Sequence, residues 1–222
     1  MSDVPDDEQE RELIRRAAAG DSQGWQELVD RFRGRLQRMV ALRIDRRMQR
    51  RVNASDIVQE AYLEAAKHLA DYMQDPKMPL YLWLRGITSN KLLEVHRHHL
   101  GFKKRNAARD VPLEGAGGDN LQSNAGAVAA ALADDNTSPS LAASREEMKK
   151  VLEDALDSLD PVDREVLALR HFEHLSNAET AQVLKLETSA ASKRYIRALK
   201  RLRSVLAPQG GDSDEGTARG ED

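Results

Sequence analysis

The sequence predicts an all-α protein: two small helical domains, the second ending in a helix-turn-helix, joined by a flexible acidic linker. Three observations carry this. Apolar residues recur at spacings of three and four along most of the chain, and no stretch of any length alternates like a strand. Charged residues make up 32% of the 222 and aromatics only 4%, which suits thin helical cores better than one large globule. Residues 110–144 are rich in Gly, Ala, Asn and Asp, and they carry five acids with no Lys or Arg. The expected domains are 9–109 and 144–207. The linker is 110–143, and 1–8 and 208–222 are expected to be disordered acidic ends.

In chain order, a first helix is expected over 9–19 with Leu13, Ile14, Ala17 and Ala18 inward. Gly20 and Asp21 break it, and Asp21 or Ser22 caps the next helix. That helix carries Trp25, Leu28, Val29, Phe32, Leu36, Met39 and Val40 as one stripe. Residues 31–51 hold nine Arg and one acid, Asp45. Arg46, Arg47, Arg50 and Arg51 read equally well as a phosphate-facing edge or a solvated helix end. Ser55 is the expected N-cap of a third helix, with Asp56 favourable in its first turn. Ile57, Val58, Ala61, Tyr62, Ala65 and Leu69 face inward. Asp56, Gln59, Glu60 and Glu64 face out, which periodicity alone reads as solvation.

Residues 71–79 are expected to be a loop, and Pro79 suits the first position of a fourth helix. That helix holds Leu80, Tyr81, Leu82, Trp83, Leu84, Ile87, Leu92, Leu93 and Val95. It then turns basic through Lys91, Arg97, Lys103, Lys104, Arg105 and Arg109. An aromatic beside a basic helix suits single-stranded nucleic acid, because bases stack on rings while cations track phosphates. The plainer reading makes Trp83 a core residue. His96, His98 and His99 lack the i,i+4 pair and third ligand of a metal site. No metal and no cofactor is expected.

Within the linker, residues 125–133 are expected to be transiently helical. Ala143 or Ser144 then begins a helix with Met148, Val151, Leu152, Ala155 and Leu156 inward. Asp160 followed by Pro161 is a cap and a first-position proline, and Asp163 falls in the first turn. Val162, Val166, Leu167, Leu169 and Phe172 form that helix's apolar face. Ser176 and Glu179 make a capping box. The short helix behind it and a longer one capped by Thr188 form the helix-turn-helix pattern. On the second helix Ala191, Tyr195, Leu199, Leu202 and Leu206 share one side. Lys193, Arg194, Arg197, Lys200, Arg201 and Arg203 fill most of the rest, and 189–206 contains no acid. A one-sign helix repels itself unless a polyanion compensates, so nucleic acid is the expected partner. A solvated basic face is the alternative.

The net charge of −3 seems wrong for such a partner, but it averages over opposed blocks. Residues 1–12 carry six acids and one Arg, and 207–222 carry five acids against Arg219. The absence of Cys excludes a disulfide framework and a thiolate site. No apolar run approaches membrane-spanning length and no signal-peptide core is seen, so a cytoplasmic protein is expected. There is no Gly-rich phosphate loop, nucleophile elbow or zinc-protease motif. Carboxylates are expected on solvated faces and in linkers. No catalytic residue and no small-molecule substrate is assigned.

These features meet in a known family. The chain resembles bacterial sigma factors of the extracytoplasmic-function (ECF) group, the specificity subunits of RNA polymerase. The resemblance covers about 13–105 (sigma domain 2) and 146–206 (sigma domain 4). Asp56-Ile57-Val58-Gln59-Glu60-Ala61-Tyr62 looks like the segment that docks on the clamp helices of the polymerase largest subunit. The resemblance therefore makes Asp56, Gln59 and Glu60 expected contacts with core RNA polymerase, supported by Ile57, Val58 and Tyr62. Trp83-Leu84, followed by Ile87 and Asn90, is similar to the helix that opens the promoter and reads the minus-ten element. It implies that 71–79 holds a flipped base and that Trp83, Asn90, Lys91 and Arg97 belong to the DNA-binding surface. The helix-turn-helix resembles the reader of the minus-thirty-five element. Ser189, Ser192, Lys193, Arg194 and Arg197 stand at its groove-facing positions, where an Arg on guanine contributes about 1–3 kcal/mol of discrimination.

The chain departs from the family pattern in places. Lys185 stands where Gly is common, and Ser189-Ala190-Ala191 replaces Gly-Thr-Val. Thr180 replaces an Ile, and Leu80 a Phe. The resemblance implies core RNA polymerase and promoter DNA as partners. It also implies an anti-sigma factor, although no residue identifies one. The linker would lie in the path of nascent RNA, and the acidic tail would shield the basic helix in the free protein. The alternative is a stand-alone helix-turn-helix regulator binding duplex DNA as a dimer. It would account for 176–206 but leave 56–62 and the Trp83 helix unexplained. A helical enzyme built on the histidines would require bound metal.

Overall fold

The computed structural model describes residues 7–45, 47–48, 51–100, 122–136 and 142–206. Helix follows helix: α1 (Asp7–Ala18), α2 (Ser22–Ala41), α3 (Ala54–Gln74), α4 (Leu80–Leu100), α5 (Ala125–Asn136), α6 (Ala142–Asp157), α7 (Pro161–Leu167), α8 (Asn177–Leu184) and α9 (Thr188–Leu206). A π-helical turn, Ala168–Phe172, continues α7. No strand occurs among the described residues. The expectations for Arg46, Arg50, the basic run 103–109 and the tail 208–222 lie outside them.

Helices α1–α4 enclose one core. Leu28, Phe32, Leu36, Met39 and Val40 of α2 meet Ile57, Val58, Ala61 and Ala65 of α3 and Leu80, Leu82 and Leu92 of α4. The second core belongs to α5–α9, with Val128, Ala129, Leu152, Leu156, Leu167, Ala168, Phe172 and Ala198. The two cores exchange residues. Leu169, Leu175 and Val183 pack into the first, and Leu42 packs into the second.

Several helix ends follow the expected chemistry. Asp21 caps α2 by accepting from the Gln23 amide at 2.9 Å. Asp160 caps α7, with Pro161 in the first turn. Both bonds of the Ser176–Glu179 box form, at 3.1 and 2.7 Å. Lys185 ends α8 in the left-handed region, φ 53°. That is the conformation for which glycine is the usual residue.

Several expectations need correction. Met148 and Val151, expected inward on α6, are 46% and 48% exposed, and Ala18 of α1 is exposed too; each lies off, or at the end of, the row that meets the neighbouring helices. Asn53, not Ser55, caps α3: its side chain accepts from the Ser55 amide at 2.9 Å, and the Ser55 hydroxyl accepts from Gln37 Nε2 at 3.3 Å. Asn and Ser are comparable caps, so propensity could not choose between them. α3 runs on to Gln74, which leaves only 75–79 as the connection to α4. Thr188 is the first residue of α9 rather than its cap. The stretch at 125–133 lies within a packed helix, because Ala125, Val128, Ala129 and Ala133 bury against the α6 side of the second core. On α9 the inward row uses Ala191 and Ala198, both fully buried, while Leu199 is 42% exposed. The recurrence of Leu on that helix masked an alanine seam, the small residue that lets neighbouring backbones approach.

Candidate functional site

The exposed face of α3 is held from behind. Ile57, Val58 and Tyr62 are buried, and the Tyr62 hydroxyl donates to the Val29 carbonyl at 2.9 Å. The Trp25 and Tyr62 rings meet edge to face at 6.1 Å. Burial pushes the Tyr62 hydroxyl pKa well up, so it stays a neutral donor. These three residues fix the helix. Asp56 and, one turn further on, Gln59 and Glu60 stand exposed on its outer face. Leu63 continues that row and is 64% exposed. Sequence reasoning missed Leu63 because its apolar side chain broke an otherwise polar row. The i,i+3 and i,i+4 spacing from Gln59 and Glu60 was the signal.

On α4, Trp83 is 6% exposed and stacks on Tyr72 with ring centroids 4.7 Å apart. The Tyr72 hydroxyl donates to the Met78 carbonyl at 2.8 Å, tying the end of α3 to the 75–79 connection. In this conformation Trp83 is therefore a core residue that backs the connection. Asn90 and Lys91 are partly exposed and Arg97 is exposed. Lys91 pairs with Glu94 at 3.0 Å. Among the described residues no group of His, Cys, Asp and Glu is placed to hold a metal ion. His96 is half-buried, and burial lowers its pKa.

On α9, Ser189 and Lys193 are exposed and Ser192 is partly so. Arg194 and Arg197 are already engaged. Asp163, buried on α7, accepts from Arg194 Nη1 at 2.7 Å and from Arg197 Nε and Nη2 at 2.8 Å each. Arg197, and behind it Arg194, holds the Asp163 carboxyl below the usual carboxylate range against the opposing effect of burial. The fork of Arg197 is bidentate, the geometry that fixes a guanidinium in one plane. Asp163 thus presets where two basic side chains of α9 point.

A second cluster contradicts the expectation that carboxylates lie on solvated faces. Arg43, after α2, and Arg85, on α4, meet Glu165 of α7 and Glu173, which follows the π turn. Arg43 pairs with Glu165 and lies 2.7 Å from Glu173. Arg85 Nε donates to Glu173 at 2.7 Å and its guanidinium lies 3.6 Å from Glu165. All four side chains are at most 6% exposed. The Tyr81 hydroxyl donates to Glu173 at 3.2 Å, and the Ser123 amide donates to Glu165 at 2.7 Å. Burial alone would raise the Glu173 pKa, but Arg43 and Arg85 overcome it and hold the carboxyl below its usual range. Nothing local in the sequence marks these four, because the pairs join residues 88 and 122 apart in the chain.

Comparison with known proteins bears on both halves. Residues 28–100 match the family model for sigma-70 region 2, and 149–202 match sigma-70, region 4. The RNA polymerase sigma-H factor of Pseudomonas aeruginosa is 26% identical over 204 residues, covering 90% of this chain and 95% of its own. The RNA polymerase sigma factor CnrH of Cupriavidus metallidurans is 30% identical over 156 residues, 69% of this chain and 73% of its own. The ECF RNA polymerase sigma factor SigD of Mycobacterium tuberculosis is 25% identical over 198 residues, 89% of this chain and 84% of its own. The solved structure of CnrH in complex with the cytosolic domain of CnrY shares the fold, with a TM-score of 0.54 and 24% identity over 91% of this chain and 99% of that one. With a region 2 unit, a region 4 helix-turn-helix and these relatives, the chain belongs to the sigma-70 family of RNA polymerase sigma factors, in its ECF group.

Proposed function

We propose that this sigma factor docks on core RNA polymerase through Asp56, Gln59, Glu60 and Leu63, and reads promoter DNA through α4 and α9. The observation that carries the reading is the row on α3: three polar side chains and an exposed leucine on a helix whose opposite side is locked into a core. A preordered row with one apolar anchor loses little conformational entropy on binding. The unit at 9–109 binds polymerase and opens the minus-ten element. Asn90, Lys91 and Arg97 face the strand there, and Trp83 supports the connection that holds a flipped base. The unit at 144–207 enters the major groove of the minus-thirty-five element with Ser189, Ser192 and Lys193. Arg194 and Arg197 are aimed at DNA by Asp163. The polymerase does the chemistry, so the chain is not an enzyme. It works in the cytoplasm, where its polymerase is; among the described residues no helix is long and apolar enough to cross a membrane. An anti-sigma factor belongs to the same reading through the family.

The test is a pull-down and transcription assay with purified bacterial core polymerase, comparing the wild type with Asp56→Ala/Gln59→Ala. The wild type is expected to associate and direct initiation, and the double variant to lose association. A wild type that ignores core polymerase yet shifts duplex DNA unaided would replace these site assignments with those of a stand-alone regulator.

A further inference from the structure

One exposed residue of α9 is explained neither by packing nor by charge. Ile196 is 50% exposed, an apolar side chain left half in water on a helix whose outer face is mostly basic. It is β-branched and a poorer helix former than the Lys and Arg around it, so helix propensity does not account for it either. Its place on the helix does. Ser189, Ser192, Lys193 and Ile196 stand at i, i+3, i+4 and i+7, and so share one face. Ser189 and Lys193 are exposed and Ser192 is partly so, while Lys200 and Arg203 extend the same face and are exposed. That spacing is also the one at which a helix lying in a major groove presents its base-reading residues. Leu199, which is 42% exposed, follows Tyr195 by four residues and edges the inward side instead.

What an isoleucine can meet in a groove is restricted. An alkyl group gains nothing from phosphate oxygens or from the donors and acceptors of the base edges. The major groove offers one apolar group on its floor, the 5-methyl of thymine. Cytosine presents the same group only when it is methylated at that position. The neighbours of Ile196 suit such a contact. Ser189 and Ser192 are short, so the α9 backbone can come close to the bases, while Lys193, Lys200 and Arg203 are placed to hold phosphates. In a helix a β-branched side chain has one strongly preferred χ1, so the branches of Ile196 are set before binding and little rotamer entropy is lost.

We propose that Ile196 reads a pyrimidine 5-methyl group, that of thymine or of 5-methylcytosine, in the major groove of the minus-thirty-five element. The proposal rests on the reading of α9 as the groove helix. The basic residues of α9 set how tightly a duplex is held whatever its sequence. Ile196 adds a preference for one base pair, and it makes that preference respond to cytosine methylation.

The test starts from a randomised pool of DNA duplexes, from which the full chain selects with and without core polymerase. In the selected duplex each thymine is replaced in turn by deoxyuracil, which lacks the methyl and keeps every donor and acceptor. For the wild type one replacement should weaken binding about fourfold, the value of one buried methyl. Ile196→Ala, at an exposed position, should melt with the wild type and bind the thymine and deoxyuracil duplexes alike. Ile196→Val keeps the branched carbon and should keep part of the distinction. With that T·A pair changed to C·G, 5-methylation of the cytosine should strengthen wild-type binding about fourfold and leave Ile196→Ala unmoved. A deoxyuracil penalty without a methylcytosine gain overturns the response to methylation. Wild-type binding with no penalty at any thymine, or the same penalties in Ile196→Ala, overturns the contact itself. A chain that selects no sequence in either form refutes the groove reading of α9 and the contact with it; selection followed by methyl-blind binding refutes the contact alone.

Discussion

Asp163→Asn tests the reading of α9 most directly. The carboxylate is 7% exposed and accepts from Arg194, whose side chain is 29% exposed, at 2.7 Å. A charge-assisted bond of that kind contributes about 1.5–3 kcal/mol. The acid also lies in the first turn of α7, where negative charge adds about 0.3–1 kcal/mol. The bonds to Arg197 are left out of the sum, because that side chain is 61% exposed and water replaces them readily. The expected loss is about 2–3 kcal/mol, allowing for the hydrogen bonds an amide keeps. For a unit of this size that lowers the melting temperature by roughly 13–20 °C. Calorimetry of the full chain reads it. Because the folded Asp163 pKa is lowered, its contribution is complete above the ordinary value of about 3.9 and fades as pH falls through the folded pKa. The gap between wild type and variant should therefore narrow in acid. Binding to a minus-thirty-five duplex should weaken as the two arginines lose their preset aim. A variant that melts within 2 °C of wild type (about 0.3 kcal/mol) and binds DNA equally would refute the positioning role.

Three further outcomes follow from the same contacts. Leu63→Asp should weaken association with core polymerase about tenfold or more, the value of burying one leucine, with melting unchanged because the side chain is exposed in the free chain. Trp83→Ala should cost about 3–5 kcal/mol of stability in chemical denaturation, since a buried ring stacked on Tyr72 is removed; a loss of DNA affinity with stability intact would instead place Trp83 at the DNA. Lowering pH should weaken the contact of Glu173 with Arg43 and Arg85: Glu173 is held below its usual pKa in the folded chain, so its contribution is complete above about pH 4.3 and fades as pH falls through the folded value. Chemical denaturation of the full chain at a series of pH values should report that decline, and it should be absent in Glu173→Gln.

Local chemistry in the sequence was enough for the helical class, the two-unit division and most caps. Asp21, Asp160 and the Ser176–Glu179 box act over two or three residues, a range within which side-chain type determines the bond. The apolar rows of α2 and α3 were legible for the same reason, since a 3.6-residue period lies in the chain itself. The row Asp56, Gln59 and Glu60 was visible as exposed, and only the family resemblance gave reason to propose it as a docking face rather than a solvated one. Tertiary structure decided what depended on distant partners. It chose Asn53 over Ser55, buried Trp83 against Tyr72, and turned Arg194 and Arg197 toward Asp163. It also drew Glu165 and Glu173 into one buried cluster with Arg43 and Arg85. A charged residue carries no mark of whether its counter-ion is water or a guanidinium 88 residues away. Desolvation and Coulomb attraction depend on distance in space, and folding alone sets that distance.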